Sequence, residues 1–402
     1  MAASITLANG FGVLNNFFAN GRRGLLKGFI PICQGHRNIL SDAYRAEDAW
    51  QNRKRLEVHM DDLRVKLDQD LLTLKKPVAS VDLQKFIDNI INEDELKASE
   101  QYIYSFRHTP VAHHLRPYTI HSWLRVCLDF HQPLRALRAL QDKTHYGLFP
   151  DIYTFNLLLD HFLRSKDYHN AYLVAKEMML IEVMNSSTPL AQALSLYACH
   201  HLLKQGSPQE DEKWSIGMTL ADATRDNSSC LSRSYHVIGY CMTGNIKPIS
   251  KILDHWLSGS SEDDKIVTQE AVDHLKEALE TAVTEDAKMK IQEQFQSLES
   301  SGRIEKASLD ELMETTILPA IGNLEKDDID NYPKVLRDWH STCVEAIKLQ
   351  KEDKNQMERK AKEARLEKLL QEVGGVEYWI EKARSEGKEV QDSLMEEDIK
   401  RQ

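Results

Sequence analysis

Residues 146–178, YGLFPDIYTFNLLLDHFLRSKDYHNAYLVAKEM, decide the fold that this chain is expected to adopt. Gly147 can end a helix in the left-handed conformation, and Pro150 prevents that helix from continuing. Two apolar segments follow, separated by the polar residues 164–169, and each is long enough for a short helix. The stretch therefore predicts a pair of helices joined by a tight turn.

The same pattern occurs 35 residues earlier in the chain. At that offset Thr119 aligns with Thr154, and Ala136 aligns with Ala171. The repeated alanine is small enough to let the second helix of a pair approach the first closely. Because one pair cannot bury its apolar face alone, neighbouring pairs must stack on it. The repeat predicts an all-α protein built as an α-solenoid of helix pairs.

Composition agrees with a helical protein. The chain has 402 residues with only 17 glycines and 11 prolines, which argues against a turn-rich all-β architecture. The length allows a repeat array of four or five units with additional segments on each side. We expect five regions, namely a presequence at 1–40, an N-terminal helical lead-in at 41–77, the repeat array at 78–258, a linker at 259–267 and an acidic, extended helical C-terminal region at 268–402.

The net charge of -11 is distributed unevenly. Residues 261–402 contain 35 acidic and 22 basic side chains, whereas residues 1–260 contain 27 acidic and 29 basic ones. Eight of the 16 histidines lie within 101–180. The total excludes a globally basic nucleic-acid coat, but it leaves room for local RNA contact in the middle of the chain.

The N-terminal segment has the composition of a mitochondrial presequence. No acidic residue occurs from Met1 to Ser41, while Arg22, Arg23 and Lys27 supply positive charge among apolar residues. Its apolar stretches are far shorter than the ~18 residues that a membrane-spanning helix needs. We therefore expect import into the mitochondrial matrix and no membrane partner.

Several motifs carry a resemblance to a known family. The unit opening with Tyr153-Thr154-Phe155-Asn156, preceded by Gly147-x-x-Pro150-Asp151, resembles a pentatricopeptide repeat. Three features follow one another along the chain: the segment 119–125, this unit, and a Trp339-His340 pair on an acidic helix. In this order they resemble the family of small-subunit protein twenty-seven of the mitochondrial ribosome. The resemblance implies a structural ribosomal component that contacts RNA and supports mitochondrial translation, without catalysis.

The resemblance also suggests where RNA bases would be read. In pentatricopeptide repeats, the fifth residue of the first helix and the last residue of the repeat face the base. These positions correspond to His121 with Asp151 and to Asn156 with Ser186. The sequence leaves base-specific readout open and favours contact with RNA shape or phosphate.

Basic residues around the two clearest units are candidates for phosphate contact, because the planar fork of arginine can make two parallel hydrogen bonds to phosphate. A solvated helix face is the alternative explanation for these charges. The predicted RNA-binding residues are Arg107, Arg116, His121, Arg125, Asn156, Arg164 and Lys166. The expected partner is the rRNA of the mitochondrial small subunit, with tRNA or mRNA also possible.

The C-terminal region is expected to bind neighbouring mitochondrial ribosomal proteins. Its pattern predicts a helix over 309–317 that ends before Pro319, and a longer helix over 334–372 that is broken at Gly374-Gly375. The centre of the longer helix is almost wholly charged, which is typical of a spacer or of a partly disordered tail. The predicted protein-contact residues are Trp339, Tyr378 and Trp379.

No enzyme motif is present in the sequence. It lacks a phosphate-binding GxxxxGK[ST] loop, HExxH and GxSxG. The six cysteines form no CxxC pair, and the adjacent histidines at 113–114 and 200–201 lack further ligands at metal-site spacing. We expect no catalytic residue, metal or cofactor. Two alternatives remain open, a free mitochondrial RNA-binding factor for translation or transcript stability and a protein–protein adaptor solenoid.

Overall fold

Helices dominate the structure. The residues described by a computed structural model of this chain are 39–206, 209–259, 265–280 and 285–385. Within these ranges the strands are limited to two residues each, β1 (Val267–Thr268) and β2 (Ile304–Glu305), which pair in parallel. The all-α prediction is confirmed. The predicted presequence at 1–40 lies outside the described residues except for its last two.

Sixteen α-helices occupy the described part of the chain. They are α1 (Glu47–Gln51), α2 (Met60–Leu67), α3 (Ser80–Asp88), α4 (Glu93–Arg107), α5 (Pro117–Asp129), α6 (Pro133–Gln141), α7 (Ile152–Arg164), α8 (Tyr168–Leu180), α9 (Pro189–Gln205), α10 (Glu210–Ala223), α11 (Cys230–Met242), α12 (Lys247–Gly259), α13 (Gln269–Glu280), α14 (Glu285–Ser300), α15 (Leu309–Leu312) and α16 (Leu318–Ser385). Short 3-10 helices lie at Asp42–Arg45 and Ala112–His114, and π-helical segments at Asp68–Thr73 and Met313–Ile317.

Helices α3 to α14 form six consecutive pairs. Their first helices begin 35 to 41 residues apart, at Ser80, Pro117, Ile152, Pro189, Cys230 and Gln269. Each pair packs on the next, as in α7 against α9 and α8 against α10. This arrangement is the predicted α-solenoid. The sixth pair, α13 and α14, packs on α11 and α12.

Local sequence explains the ends of the central helices. The Asp151 carboxylate accepts a hydrogen bond from the Thr154 backbone N–H at 3.0 Å and caps α7, and Asp167 caps α8 in the same way through Asn170 at 3.2 Å. Such a cap satisfies a backbone N–H group that the first turn leaves without a partner. Gly147 has the left-handed conformation expected from the sequence, with φ +61, but it lies in the loop before α7 and does not end α6, which already stops at Gln141.

Small residues set the closest helix approaches. Ala136 and Ala171, the repeated alanines, are both fully buried. At the crossing of α10 and α11 the two helices meet at Gly217 and Gly239. A Cβ at Gly217 would lie 2.5 Å from the Gly239 carbonyl oxygen, and a Cβ at Gly239 would lie 2.6 Å from that of Gly217. Glycine at both positions therefore permits backbone contact between the fourth and fifth pairs.

Helix α16 differs from its prediction. It is continuous from Leu318 to Ser385, so Pro319 does not separate two helices and Gly374-Gly375 does not break the helix. Pro319 lies in the first turn, where its missing N–H has no intrahelical partner to lose. Glycine inside a helix costs about 1 kcal/mol relative to alanine, which weakens a helix without ending it. At 1.5 Å per residue, 68 residues span about 100 Å.

The two halves of α16 have different environments. Ile321, Tyr332, Leu336 and Cys343 are buried against the array. Every residue from 351 to 369 is exposed, so this part, which we call the projecting segment, extends away from the array. The projecting segment contains the almost wholly charged stretch that the sequence shows in this region, and it is helical throughout.

Candidate nucleic-acid interface

The surface formed by α3, α5, α7 and α9, here called the first-helix face, is covered by α16. The Tyr332 ring stacks on that of Tyr153 in α7, with centroids 4.3 Å apart and planes 17° apart. The Trp339 ring lies 5.3 Å from that of Tyr118 and 5.2 Å from that of His121, both in α5. The first-helix face is therefore packed against the protein's own C-terminal helix.

Contacts at both ends extend this cover. At α3, Gln84 Nε2 donates to Cys343 Sγ, and Gln350 Nε2 donates to Asp82 Oδ2 at 3.4 Å. At α9, Lys204 Nζ lies 2.6 Å from an Asp310 carboxylate oxygen just before α16. The cover thus reaches from the first helix pair to the fourth.

The lead-in fills the remaining space beneath α16. Tyr44 is fully buried, and its ring stacks on Tyr153 at 5.0 Å. Its hydroxyl donates to Asp328 Oδ2 at 2.7 Å and accepts from Asn156 Nδ2 at 3.1 Å. Burial and the nearby Asp328 carboxylate raise the pKa of Tyr44 well above its usual value. Tyr44 thus connects the lead-in, α7 and α16.

A buried ion pair anchors the rest of the lead-in to α3. The Arg53 guanidinium pairs with Asp88, and both side chains are almost fully buried. Its Cζ atom also lies 3.2 Å from the centroid of the Trp50 ring. The Trp50 ring in turn meets His121 edge-on, with centroids 5.4 Å apart. Because a buried charge is stable only with its partner, these contacts fix the lead-in on the array.

His121 and Asn156, the two residues predicted to face RNA bases, are buried inside this assembly. The Thr154 hydroxyl donates to Asp151, so its oxygen accepts from Nδ1–H of His121 at 2.6 Å. Nε2 of His121 then accepts from the Tyr332 hydroxyl at 2.8 Å. Burial, with Arg125 and Arg53 nearby, lowers the pKa of His121 well below its usual value, consistent with a neutral imidazole.

The prediction that these two side chains present themselves to RNA therefore does not describe this structure. Asn156 donates to Tyr44 rather than to a base. Of the residues predicted to act with them, Asp151 caps α7 and Ser186 is exposed. The positions that would read bases are occupied by aromatic side chains of the same chain.

Two of the predicted phosphate-binding arginines also have intramolecular partners. Arg125 is buried, and it donates to the Arg45 carbonyl at 2.7 Å and to Glu47 Oε2 at 3.1 Å. Arg164 pairs with Asp160 at 2.6 Å and with Asp42 at 2.7 Å. Burial raises the pKa of Asp160 to about 6 although Arg164 opposes the shift.

Both arginines hold the lead-in on the array, as the Arg164 Nη2 bond to the Leu40 carbonyl at 2.9 Å also shows. Leu40 itself is fully buried. Arg125 and Arg164 are thus parts of the fold and are not presented to a ligand.

The remaining three predicted residues are accessible. Arg107 is exposed and makes no hydrogen bond or ion pair to any described residue. Arg116 is half-buried, and its Nε atom is buried without a hydrogen-bond partner among the described residues, so only the rest of its guanidinium can be reached from outside. Lys166 is exposed in the turn between α7 and α8. Arg107 and Arg116 bound the connection between α4 and α5, which we call the α4–α5 corner (residues 107–116).

The α4–α5 corner lies in a segment without acidic side chains. No aspartate or glutamate occurs from Gln101 to Leu128. His108, His113 and His114 are all exposed there. This segment offers positive groups and neutral hydrogen-bonding groups, and it contains no carboxylate that would repel an anion. Such a surface is suited to an anionic partner. Within the described structure, this part of the predicted RNA surface is both exposed and electrostatically suitable.

The predicted protein-contact residues have different outcomes. Trp339 is partly buried against α5 and so belongs to the intramolecular cover. The side chains of Tyr378 and Trp379 lie outside the described residues.

In the part of the chain that the structure describes, no group of three or more histidine, cysteine, aspartate or glutamate side chains could hold a metal ion. None of the helices described is long and apolar enough to cross a membrane.

A comparison with known protein families yields a match over most of the chain. The model of the family described as mitochondrial 28S ribosomal protein S27 matches residues 12–369. The matched range includes the lead-in, all six helix pairs and α16 as far as the end of the projecting segment. The match therefore includes both the array and the elements that cover its first-helix face.

Proposed function

Since this chain belongs to the mitochondrial 28S ribosomal protein S27 family, we propose that it is a structural component of the mitochondrial small ribosomal subunit that binds rRNA and supports mitochondrial translation. The family match over residues 12–369 is the observation that carries the proposal. A ribosomal protein family implies a structural role, so we propose no catalytic activity. The matrix is the corresponding location.

The covered first-helix face supports a structural role over the two alternatives. A free RNA-binding factor that reads bases, or an adaptor that binds peptides in its groove, would use the open side of the array. Here Tyr332 and Trp339 pack on that side from α16. A rigid body with a closed face is suited to a permanent place in an assembly.

The proposed rRNA contact uses the α4–α5 corner. Arg107 is exposed without a partner in the described structure, and Arg116 is half-buried at the other end of the corner. Arg107 can approach a phosphate directly, and Arg116 adds a second positive charge at the start of α5. Contact of this kind recognises RNA shape and backbone rather than sequence.

The projecting segment is proposed to contact neighbouring ribosomal proteins, together with the following residues that include Tyr378 and Trp379. Residues 351–369 carry seven basic and five acidic side chains, so the acidic surplus of the tail lies outside this stretch. Full exposure over five helical turns leaves both signs of charge available to partners.

A gradient experiment tests the proposal. Mitochondria lacking the endogenous chain receive either the wild-type protein or an Arg107→Gln, Arg116→Gln double variant. We expect the wild type to sediment with the small subunit. We expect rRNA crosslinking to fall roughly ten-fold in the double variant, and RNA affinity to depend less steeply on salt, by about 0.7 in slope for each phosphate that the variant no longer neutralises.

Lys247→Gln is the matched control, because Lys247 is exposed at the start of α12 and remote in sequence from the α4–α5 corner. It should leave crosslinking unchanged. A wild-type chain that stays at the top of the gradient would refute the ribosomal assignment. Equal rRNA crosslinking of the wild type and the double variant would refute the role of the α4–α5 corner.

A further inference from the structure

An exposed group of aromatic rings lies beside the α4–α5 corner. Tyr104 at the end of α4 stacks on His145, with centroids 5.7 Å apart and planes 14° apart. His108 lies 4.6 Å from Tyr104, and Tyr146 meets Tyr104 edge-on at 6.0 Å. We call these four residues the ring cluster. It joins α4 to the loop between α6 and α7.

Hydrogen bonds hold the ring cluster in place. His108 Nδ1 lies 2.7 Å from the Tyr104 carbonyl oxygen. His145 Nδ1 lies 2.8 Å from Asp142, and this contact lowers the pKa of the Asp142 carboxyl. The Tyr146 hydroxyl donates to a glutamate of α4 at 3.1 Å. Rings that are already oriented lose little conformational freedom when a further ring stacks on them.

Three residues of the ring cluster, Tyr104, His108 and His145, are exposed, and Tyr146 is partly buried against the core. Tyr104 is 42% exposed, whereas Tyr102, two residues away on α4, is fully buried. Phe149, in the same loop as His145, is 50% exposed. Aromatic surface left in water at one place indicates a contact with a partner that offers a flat apolar face.

A surface cavity of about 560 Å³ adjoins the ring cluster. Tyr104 and Tyr146 form an aromatic wall, and Gln101 and Ser105 offer hydrogen-bonding groups. Lys97 supplies a cation, and the one carboxylate of the lining, Glu100, is neutralised by an ion pair with Arg135. The volume is within the range of about 300–1,000 Å³ typical of small-ligand sites. An aromatic wall with an amide, a hydroxyl and a cation is the set of groups that an unpaired nucleobase and its phosphate require.

Arg107 places a further cation at the same site. Its side chain packs over Gly147, where a Cβ would lie only 2.6 Å from Arg107 Nε. Because Gly147 directly follows Tyr146, the unpaired guanidinium is held next to the ring cluster. It can therefore reach the backbone of a nucleotide whose base stacks on the rings.

We propose that the ring cluster and its cavity bind one unpaired RNA nucleotide, whose base stacks on Tyr104 and whose phosphate contacts Arg107. This proposal rests on the rRNA contact proposed above and adds the kind of RNA that is bound. The bases of a duplex are paired and stacked within the helix and cannot enter such a cavity, so the partner is a loop, bulge or end.

The test uses the full chain and two RNA probes, a hairpin with 2-aminopurine in its unpaired loop and a duplex in which the same base is paired. Fluorescence reports stacking of the probe base, and titration gives affinity. We expect the wild type to quench the hairpin probe and to bind it more tightly than the duplex. Tyr104→Leu should lose the quenching and about ten-fold in affinity, since stacking on one aromatic side chain carries roughly that much.

Two variants show whether the effect comes from the ring. Tyr104→Phe keeps the aromatic face and should restore quenching and affinity. Trp214→Leu removes an aromatic side chain that is 58% exposed on α10, away from the site, and should behave as wild type. Because Tyr104 is exposed, Tyr104→Leu is expected to fold, which an unchanged thermal melting temperature would verify.

The result that overturns the inference is equal quenching and affinity of the wild type and Tyr104→Leu, as expected if the rings contact protein instead. If Arg107→Gln, Arg116→Gln still weakens binding in that case, rRNA contact stands and only the ring site fails. If Tyr104→Leu weakens binding to the hairpin but the chain never sediments with the small subunit, the nucleotide site stands and the proposed function fails.

Discussion

Replacing Tyr332 with alanine should lower the free energy of unfolding by about 3–5 kcal/mol, as for large aromatic side chains removed from a core. The side chain is 3% exposed, stacks on Tyr153 at 4.3 Å and hydrogen-bonds to His121. Its removal creates a cavity between α16 and the first-helix face, and it leaves a buried ring nitrogen of His121 without a partner. Urea unfolding followed by circular dichroism measures the change.

Tyr332→Phe is the matched variant. It keeps the ring stack and removes only the hydroxyl, so we expect a destabilisation of about 1–2 kcal/mol from the unsatisfied His121 nitrogen. A destabilisation below ~1 kcal/mol for Tyr332→Ala would mean that α16 does not pack on the array, since removing a ring from a packed core costs several times more. Equal destabilisation by both variants would mean that the hydroxyl alone carries the contact.

Gly239→Ala should destabilise the protein by about 2–3 kcal/mol, because an added methyl group in a packed site forces backbone shifts. Its Cβ would lie 2.6 Å from the Gly217 carbonyl oxygen and 3.0 Å from the Ala221 backbone nitrogen. Both atoms belong to helix backbone and cannot rotate away, so α10 and α11 must separate. Thermal unfolding of the purified variant measures the destabilisation.

Gly322→Ala is the control for helix propensity. Gly322 lies in α16, and a Cβ there would meet no atom within 4 Å. Alanine is favoured over glycine in a helix interior by about 0.5–1 kcal/mol, so this variant should be stabilised. The two substitutions are chemically identical, and opposite signs would attribute the Gly239 effect to the helix crossing. A neutral Gly239→Ala would contradict the close approach.

The repeat architecture could be predicted because its signals are local. The small residue Ala171 and the left-handed turn at Gly147 lie close together in the chain, and both are found where the sequence indicates them. The assignment of the pairs as pentatricopeptide repeats stays a prediction, as do the five region boundaries. The first helices of successive pairs begin 35 to 41 residues apart, so a fixed repeat of 35 residues does not locate every pair.

The cover over the first-helix face could not be predicted, because its partners are far apart in the chain. Tyr332 and His121 are 211 residues apart, and Tyr44 and Asp328 are 284 apart. Sequence periodicity reports which face of α16 is apolar but not which surface it covers. At the positions where the family resemblance predicts an RNA base, His121 and Asn156 therefore contact Tyr332 and Tyr44 of the same chain.

The sequence indicates only part of the ring cluster, through the spacing of its two histidines. His108 and His145 are one repeat apart, since the first helices of the two pairs concerned begin at Ser80 and Pro117. Equivalent positions in neighbouring pairs lie side by side in a solenoid. The sequence shows that histidine is abundant in residues 101–180. It does not show that Tyr104 is exposed beside His108 and His145, because that depends on how α4 packs.

The central claim is that the first-helix face is closed by the chain's own lead-in and α16, so that RNA is contacted from the α4–α5 corner and the ring cluster. Ultraviolet crosslinking of intact small subunits, followed by mass spectrometry of nucleotide-bearing peptides, tests it most directly. We predict crosslinks within residues 101–116 and 142–149. Crosslinks at His121 or Asn156, with none in those two segments, would contradict it.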